Sequence, residues 1–172
     1  MAWKSNLLVV ANVTADSDEL VATLKARAER GPSVFTLLVP ATGGGRPGRE
    51  AAQEQLEAAL ARAREAGLEI DGEVGDADPV IAVKEAWNPS QHDEVIVSTL
   101  PTDASHWLQM DLPHRIERIT GTQVTHVVSV PRKPLPTRKV EPEAKKLSGL
   151  LRPLGTLSWS KSRESTKPPA KG

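Results

Sequence analysis

The stretch His92-Asp93-Glu94-Val95-Ile96-Val97-Ser98-Thr99-Leu100-Pro101 constrains this chain more than any other. Its apolar centre is short, rich in β-branched residues and not interleaved with polar ones. That is the pattern of a strand buried on both faces, as in a parallel sheet covered by helices. Sheets of that kind bind ligands just beyond the carboxyl ends of their strands. Ser98 and Thr99, the polar pair that closes the run, therefore mark the expected place of a site.

The rest of the chain supplies the partners such a strand needs. Leu7 to Ala11 is an apolar run that ends at Asn12-Val13-Thr14 and reads as the first strand. A helix is predicted from about Ser17 to Arg30: Asp16 or Ser17 can cap it, Asp18 and Glu19 suit its first turn, and Leu20, Leu24 and Ala28 form the buried stripe. Gly31-Pro32 stops it, and Ser33 to Val39 is the second strand. A glycine-rich segment, Ala41 to Gly48, leads to a helix of about Arg49 to Ala66 with Ala52, Leu56, Ala59, Leu60 and Ala63 inward. Leu68 to Val74 is a third strand broken by Asp71-Gly72. Asp78 and Pro79 stand at the N-cap and first position of the next helix, whose Val80, Val83 and Trp87 face the sheet. After the fourth strand a loop from Thr102 to His106 is expected. It is followed by a helix from Asp111 to Thr120, capped by Asp111 with Leu112, Ile116 and Ile119 inward, and by a fifth, edge strand from Gln123 to Val130. This alternation is that of a five-stranded, mostly parallel, doubly wound α/β sheet with right-handed crossovers.

Charge divides the 172 residues in two. Residues 131–172 hold 11 Lys and Arg against three acidic residues, a net +8, which leaves a net −8 in residues 1–130. An acidic α/β domain (1–130) is thus followed by a Pro-rich basic tail (131–172) with a short helix expected at about 143–151. Such a tail suits an anionic partner, nucleic acid or membrane surface, or a protein. The chain has no cysteine, which removes disulfide and thiolate chemistry, and His92, His106, His114 and His126 are too scattered for a metal site. No apolar run spans a membrane and no signal-peptide core follows Met1, so a cytoplasmic location is expected.

No arrangement points to catalysis. Asp76, Asp78, Asp93 and Glu94 are explained as caps and turn residues. Ser98, Thr99 and His106 lack the glycines of a nucleophile elbow, and Gly43-Gly44-Gly45-Arg46-Pro47-Gly48 lacks the Lys-Ser/Thr of a P-loop. Trp107-Leu108-Gln109-Met110 is an apolar patch, suited to a lid over the strand ends or to a dimer contact.

From Lys4 to Val130 the order of these features resembles the universal stress protein family. The resemblance is carried by Leu7 to Asn12, by Gly75-Asp76-Ala77-Asp78-Pro79 entering a helix, by Asp93 to Val97 beyond it, and by the spacing to Gly121 and the last strand. It implies an α/β fold, a homodimer through the edge strand Gln123 to Val130, and a ligand position at Asn12, Val13, Ser98 and Thr99. Nucleotide-binding members carry an aspartate at the end of the first strand, and a Gly-x-x-Gly then Gly-Ser/Thr signature for the phosphates. Here those positions hold Asn12, Ser98, Pro101 and Asp111-Leu112. The expected function is a non-enzymatic, dimeric stress-response or regulatory module without ATP binding in the family's manner. The alternatives are a variant that binds ATP, AMP or another small ligand, with Arg46 or Arg115 reaching an anionic group, and an adaptor that acts through the tail.

Overall fold

The computed structural model describes residues 3–101 and 103–132. The chain divides into a compact unit, Met1–Thr137, and a second, Arg138–Gly172; the tail helix expected at about 143–151 lies outside the described residues. In chain order the elements are β1 (Ser5–Val10), α1 (Asp18–Arg30), β2 (Ser33–Pro40), α2 (Gly45–Glu65), β3 (Ile70–Gly75), α3 (Pro79–Ala86), β4 (Glu94–Thr99), α4 (His106–Gln109), α5 (Leu112–Thr120) and β5 (Val124–Val128). The five strands form one all-parallel sheet in the order β3-β2-β1-β4-β5.

Strand alternation sorts the core into two layers. Leu7, Val9 and Ala11 of the first strand and its exit, with Phe35, Leu37, Val39 and Ile96, pack on Leu20 and Leu24 of α1 and on Ala52, Leu56, Ala59 and Ala63 of α2. Leu8, Val10, Leu38, Val95 and Val97 point the other way and pack on Ala82 and Val83 of α3 and on Leu112 and Ile116 of α5. Because β1 and β4 bury both faces, they read as unbroken apolar runs. Each fully buried Leu or Phe in these layers contributes about 1.5–3 kcal/mol of transfer free energy.

Helix starts follow local chemistry. The Ser17 hydroxyl accepts from the Leu20 N–H at 3.2 Å, and the Asp78 carboxylate accepts from the Val80 N–H at 2.8 Å, just ahead of Pro79. Several boundaries differ from the sequence expectation. Helix α2 starts at Gly45, so the glycine segment supplies its N-cap and first turn as well as the loop before it. Strand β3 runs to Gly75 straight through Asp71-Gly72. The segment after β4 folds into two helices, because the Ser105 hydroxyl caps a short first one by accepting from the Leu108 N–H at 3.2 Å. Asp111 stands at the N-cap of α5 as expected, but its side chain makes no capping bond. Its backbone is left-handed (φ 54°), and its carboxylate pairs with His114 Nδ1 at 2.6 Å instead.

Candidate functional site

β1 and β4 are neighbours in the sheet, yet the helices that follow them lie on opposite faces, α1 on one and α4 and α5 on the other. Their exits diverge, and a crevice opens at this switch of strand order, as doubly wound sheets require. A cleft of about 230 Å³ occupies that position. Asn12, Val13, Ser98 and Thr99 all line it, so the four residues singled out in the sequence are brought together. Thr14, Thr42 and the segment from Ala104 to Trp107, with Leu100, complete the wall.

Most polar residues of the wall are held by their neighbours. Asn12 Nδ2 donates to the Pro40 carbonyl at 3.3 Å and to Thr42 Oγ1 at 2.5 Å. With its amide hydrogens so engaged, its Oδ1 is left as a neutral acceptor. Ser98 is fully buried, and its Oγ lies 2.9 Å from both Thr14 Oγ1 and Ser129 Oγ. Thr14 Oγ1 in turn donates to the Ser98 carbonyl at 3.3 Å. A hydroxyl carries one hydrogen, so the three side chains order themselves: Ser129 donates to Ser98, Ser98 to Thr14, and Thr14 to the Ser98 backbone. This chain ties the exits of β1, β4 and β5 together. Thr99, on the opposite face of the strand, donates to the Leu100 carbonyl at 3.0 Å and lies 2.7 Å from His126 Nε2 on β5. Burial lowers the His126 pKa.

Sequence reasoning placed Ser98 and Thr99 here but missed the residues that hold them. Thr14 and Ser129 are small hydroxyl residues with no motif around them. His126 becomes legible only with the register, which sets Val97 opposite His126 and Thr99 opposite Val128, so that 99 and 126 are diagonal neighbours on one face. Trp107, read as part of a lid or a dimer contact, lines the cleft from α4. Arg46 and Arg115 do not line it. Arg46 borders a separate open depression of about 390 Å³ with Gly44, Gly45, Arg49 and Asp76, and pairs with Glu50 at 2.7 Å, while Arg115 is exposed on α5.

The described lining holds no Lys, Arg, Asp or Glu, and His106 is its one titratable side chain. The positions expected to cradle phosphates hold Ser98, whose side chain is spent inside the fold, and Pro101, which has no N–H to offer. Helix α4 is a single turn whose N-terminal amide is taken by Ser105. Thr99 and His126 are close enough for a hydroxyl–imidazole pair. Among the described residues, however, no third group orients the ring, and the Leu100 carbonyl competes with it for the one Thr99 hydrogen. The arrangement can hold a small, largely uncharged molecule between an apolar wall (Val13, Leu100, Ala104, Trp107) and a few hydrogen-bonding atoms.

No family model and no curated protein matches the chain. Solved structures do. A universal stress protein in complex with cAMP superposes with a TM-score of 0.51 at 18% identity, over 76% of this chain and 100% of that one. A universal stress protein from Archaeoglobus fulgidus gives 0.53 at 14% identity, over 72% of this chain and 93% of that one. The universal stress protein from the same organism in complex with dAMP gives 0.54 at 12% identity, over 74% and 99%. By architecture, then, the chain has a universal-stress-protein-like fold.

Proposed function

We propose that this protein is a non-enzymatic, universal-stress-protein-like regulatory module. It binds a small ligand of nucleoside size at the carboxyl ends of β1 and β4 and lacks the family's means of holding a triphosphate. The observation that carries the reading is the cleft itself: it lies at the switch of strand order, is walled by Asn12, Val13, Ser98 and Thr99, and has no cation or glycine among its described lining residues. Its 230 Å³ falls below the roughly 300 Å³ at which pockets for drug-sized ligands begin. That volume suits a base or nucleoside better than a nucleotide triphosphate. The structural neighbours captured with cAMP and dAMP make an adenine-bearing molecule the natural probe.

Calorimetric titration of the full chain with adenosine, AMP and ATP tests this. Adenosine should bind, and ATP should bind no more tightly, because no group of the described wall rewards the added phosphates. ATP binding tenfold tighter than adenosine would refute the missing-cradle argument. Ala104→Trp should abolish adenosine binding with little loss of stability, since Ala104 is exposed and lines the cleft.

The same reading includes a homodimer through β5. That strand is an outer strand of the sheet, and its Val128, with Val130 just beyond, is about half exposed, at 50% and 59%. An edge of this kind offers unpaired backbone groups and apolar surface to a second strand.

A further inference from the structure

We propose that His126 is a proton-responsive positioning residue: the protonation of its ring sets which way the hydrogen bond to Thr99 runs, and so whether the cleft wall offers a ligand a hydroxyl hydrogen or only a lone pair. The inference deepens the ligand-binding reading of the cleft and rests on it.

The geometry carries the argument. Thr99 is 2% exposed, lines the cleft, and has its Oγ1 2.7 Å from His126 Nε2 and 3.0 Å from the Leu100 carbonyl. One hydroxyl hydrogen cannot serve the carbonyl, the ring and a ligand together. When the imidazole is neutral with its hydrogen on Nδ1, Nε2 accepts, and the Thr99 hydrogen is drawn towards β5. When the ring is an imidazolium, both nitrogens donate. Nε2 then donates to Thr99 Oγ1, and the hydroxyl hydrogen is released to the Leu100 carbonyl or to an acceptor atom in the cleft. A ligand that accepts from Thr99 therefore binds the imidazolium form more tightly, and by reciprocity its binding raises the His126 pKa.

The surroundings leave the ring free to act this way. On the same face, α5 carries His114, Arg115, Glu117 and Arg118. His114 is held by Asp111, and Glu117 accepts from the Val124 N–H at 3.1 Å. From α1, on the opposite face, Glu19 accepts from the Val130 N–H at 3.3 Å and Asp18 pairs with Arg62. At the far end of β4, Glu94 pairs with Arg27, and His106 stands on α4 across the cleft. Among the described residues, Thr99 is the one side chain within hydrogen-bonding distance of the His126 ring. Desolvation alone lowers its pKa, so it is neutral at ordinary pH and charges only on acidification.

The test has a ligand-free arm and a binding arm, both on the full chain. NMR titration of the His126 ring without ligand should show a lower pKa in Thr99→Val, which keeps the shape and loses the acceptor oxygen, and a wild-type value in Thr99→Ser. Identical titrations in wild type and Thr99→Val would overturn the proposal. In the binding arm, adenosine affinity should be about fivefold greater at about pH 5 than at about pH 8 in wild type and pH-independent in His126→Gln. Equal affinities in wild type at both values would also overturn it. Should adenosine bind at neither pH while Thr99→Val still shifts the ring, the hydrogen-bond assignment stands and the ligand reading of the cleft falls.

Discussion

His92 shows how one side chain can bind local geometry to pH. It closes the turn before β4, where its Nδ1 accepts from the Asn88 N–H at 3.2 Å and its ring stacks on Trp87 with centroids 5.6 Å apart. Burial pushes its pKa below the ordinary value of about 6.5, against the opposing pull of Asp93 and Glu73. The unfolded chain therefore takes up this proton first as pH falls. The His92 contribution is complete above about pH 6.5 and is lost as pH drops through the folded-state value. His126 acts in the same sense. His114, raised by its hydrogen bond and ion pair with Asp111, acts in the opposite sense: its contribution is present in acid and lost as pH rises through its folded-state value. It is fully exposed, so salt screens it. Thermal denaturation between about pH 7.5 and pH 5 should show the midpoint falling with acid, and His92→Gln should flatten that slope. A wild-type midpoint that is level or rises over this range would contradict the burial argument. The residue scale also decides how the cleft is to be probed. Ser98 is enclosed by Thr14 and Ser129, so enlarging it disrupts the junction of three strands and says nothing about ligand, whereas Ala104 can be enlarged from the solvent side.

Among the elements, β3 carries the clearest constraint that composition conceals. Asp71-Gly72 reads as an interruption, but Gly72 is paired with Leu37 inside the sheet. A Cβ there would overlap the Leu37 carbonyl oxygen and approach Leu56 Cδ1 to 2.7 Å, so the glycine lets α2 and β2 close over the strand. Gly72→Ala should cost about 1–3 kcal/mol in denaturant unfolding, despite the better strand propensity of alanine. An unchanged midpoint would show that β3 can shift away at no cost. The same contrast marks what the sequence made legible. Apolar runs and cap chemistry revealed β1, β2, β4, α1 and α3 within a few residues, because burial and capping are written in local residue types. The start of α2 was obscured because its N-cap is a glycine, with no side-chain signal. The break between α4 and α5 was obscured because Ser105 and a left-handed Asp111 decide it through backbone geometry. That Asn12, Val13, Ser98 and Thr99 share one cleft follows from topology, since strand ends at a switch point meet whatever their identity. Thr14, Ser129 and His126 join them through long-range register that no local window contains.

At the scale of the whole molecule, two features can be tested apart: the edge strand β5 and the net +8 of the sequence from residue 131 onward. Val127 is buried at 9% exposure against α1 and the sheet, so a charge there would test folding instead of assembly. Val128, on the other face and half exposed, is the position that tests assembly. The last described contacts of the body are made at Ser129 and Val130. Ser129 belongs to the buried hydroxyl chain and its N–H donates to the Thr99 carbonyl at 2.8 Å, and the Val130 N–H donates to Glu19. Nothing past Val130 is needed for those contacts, while the net +8 lies wholly beyond it. Val128→Lys should therefore turn a dimer into a monomer in sedimentation equilibrium, with the far-ultraviolet circular dichroism of the folded chain retained. Truncation after Val130 should keep the dimer and remove salt-sensitive binding to a polyanion such as heparin, because the remaining −8 body repels it. A wild-type monomer, or a dimer that survives Val128→Lys, would remove β5 as the interface. Polyanion binding that survives truncation would assign it to the arginines of the body, where Arg46 and Arg49 beside the start of α2 would be the first to replace.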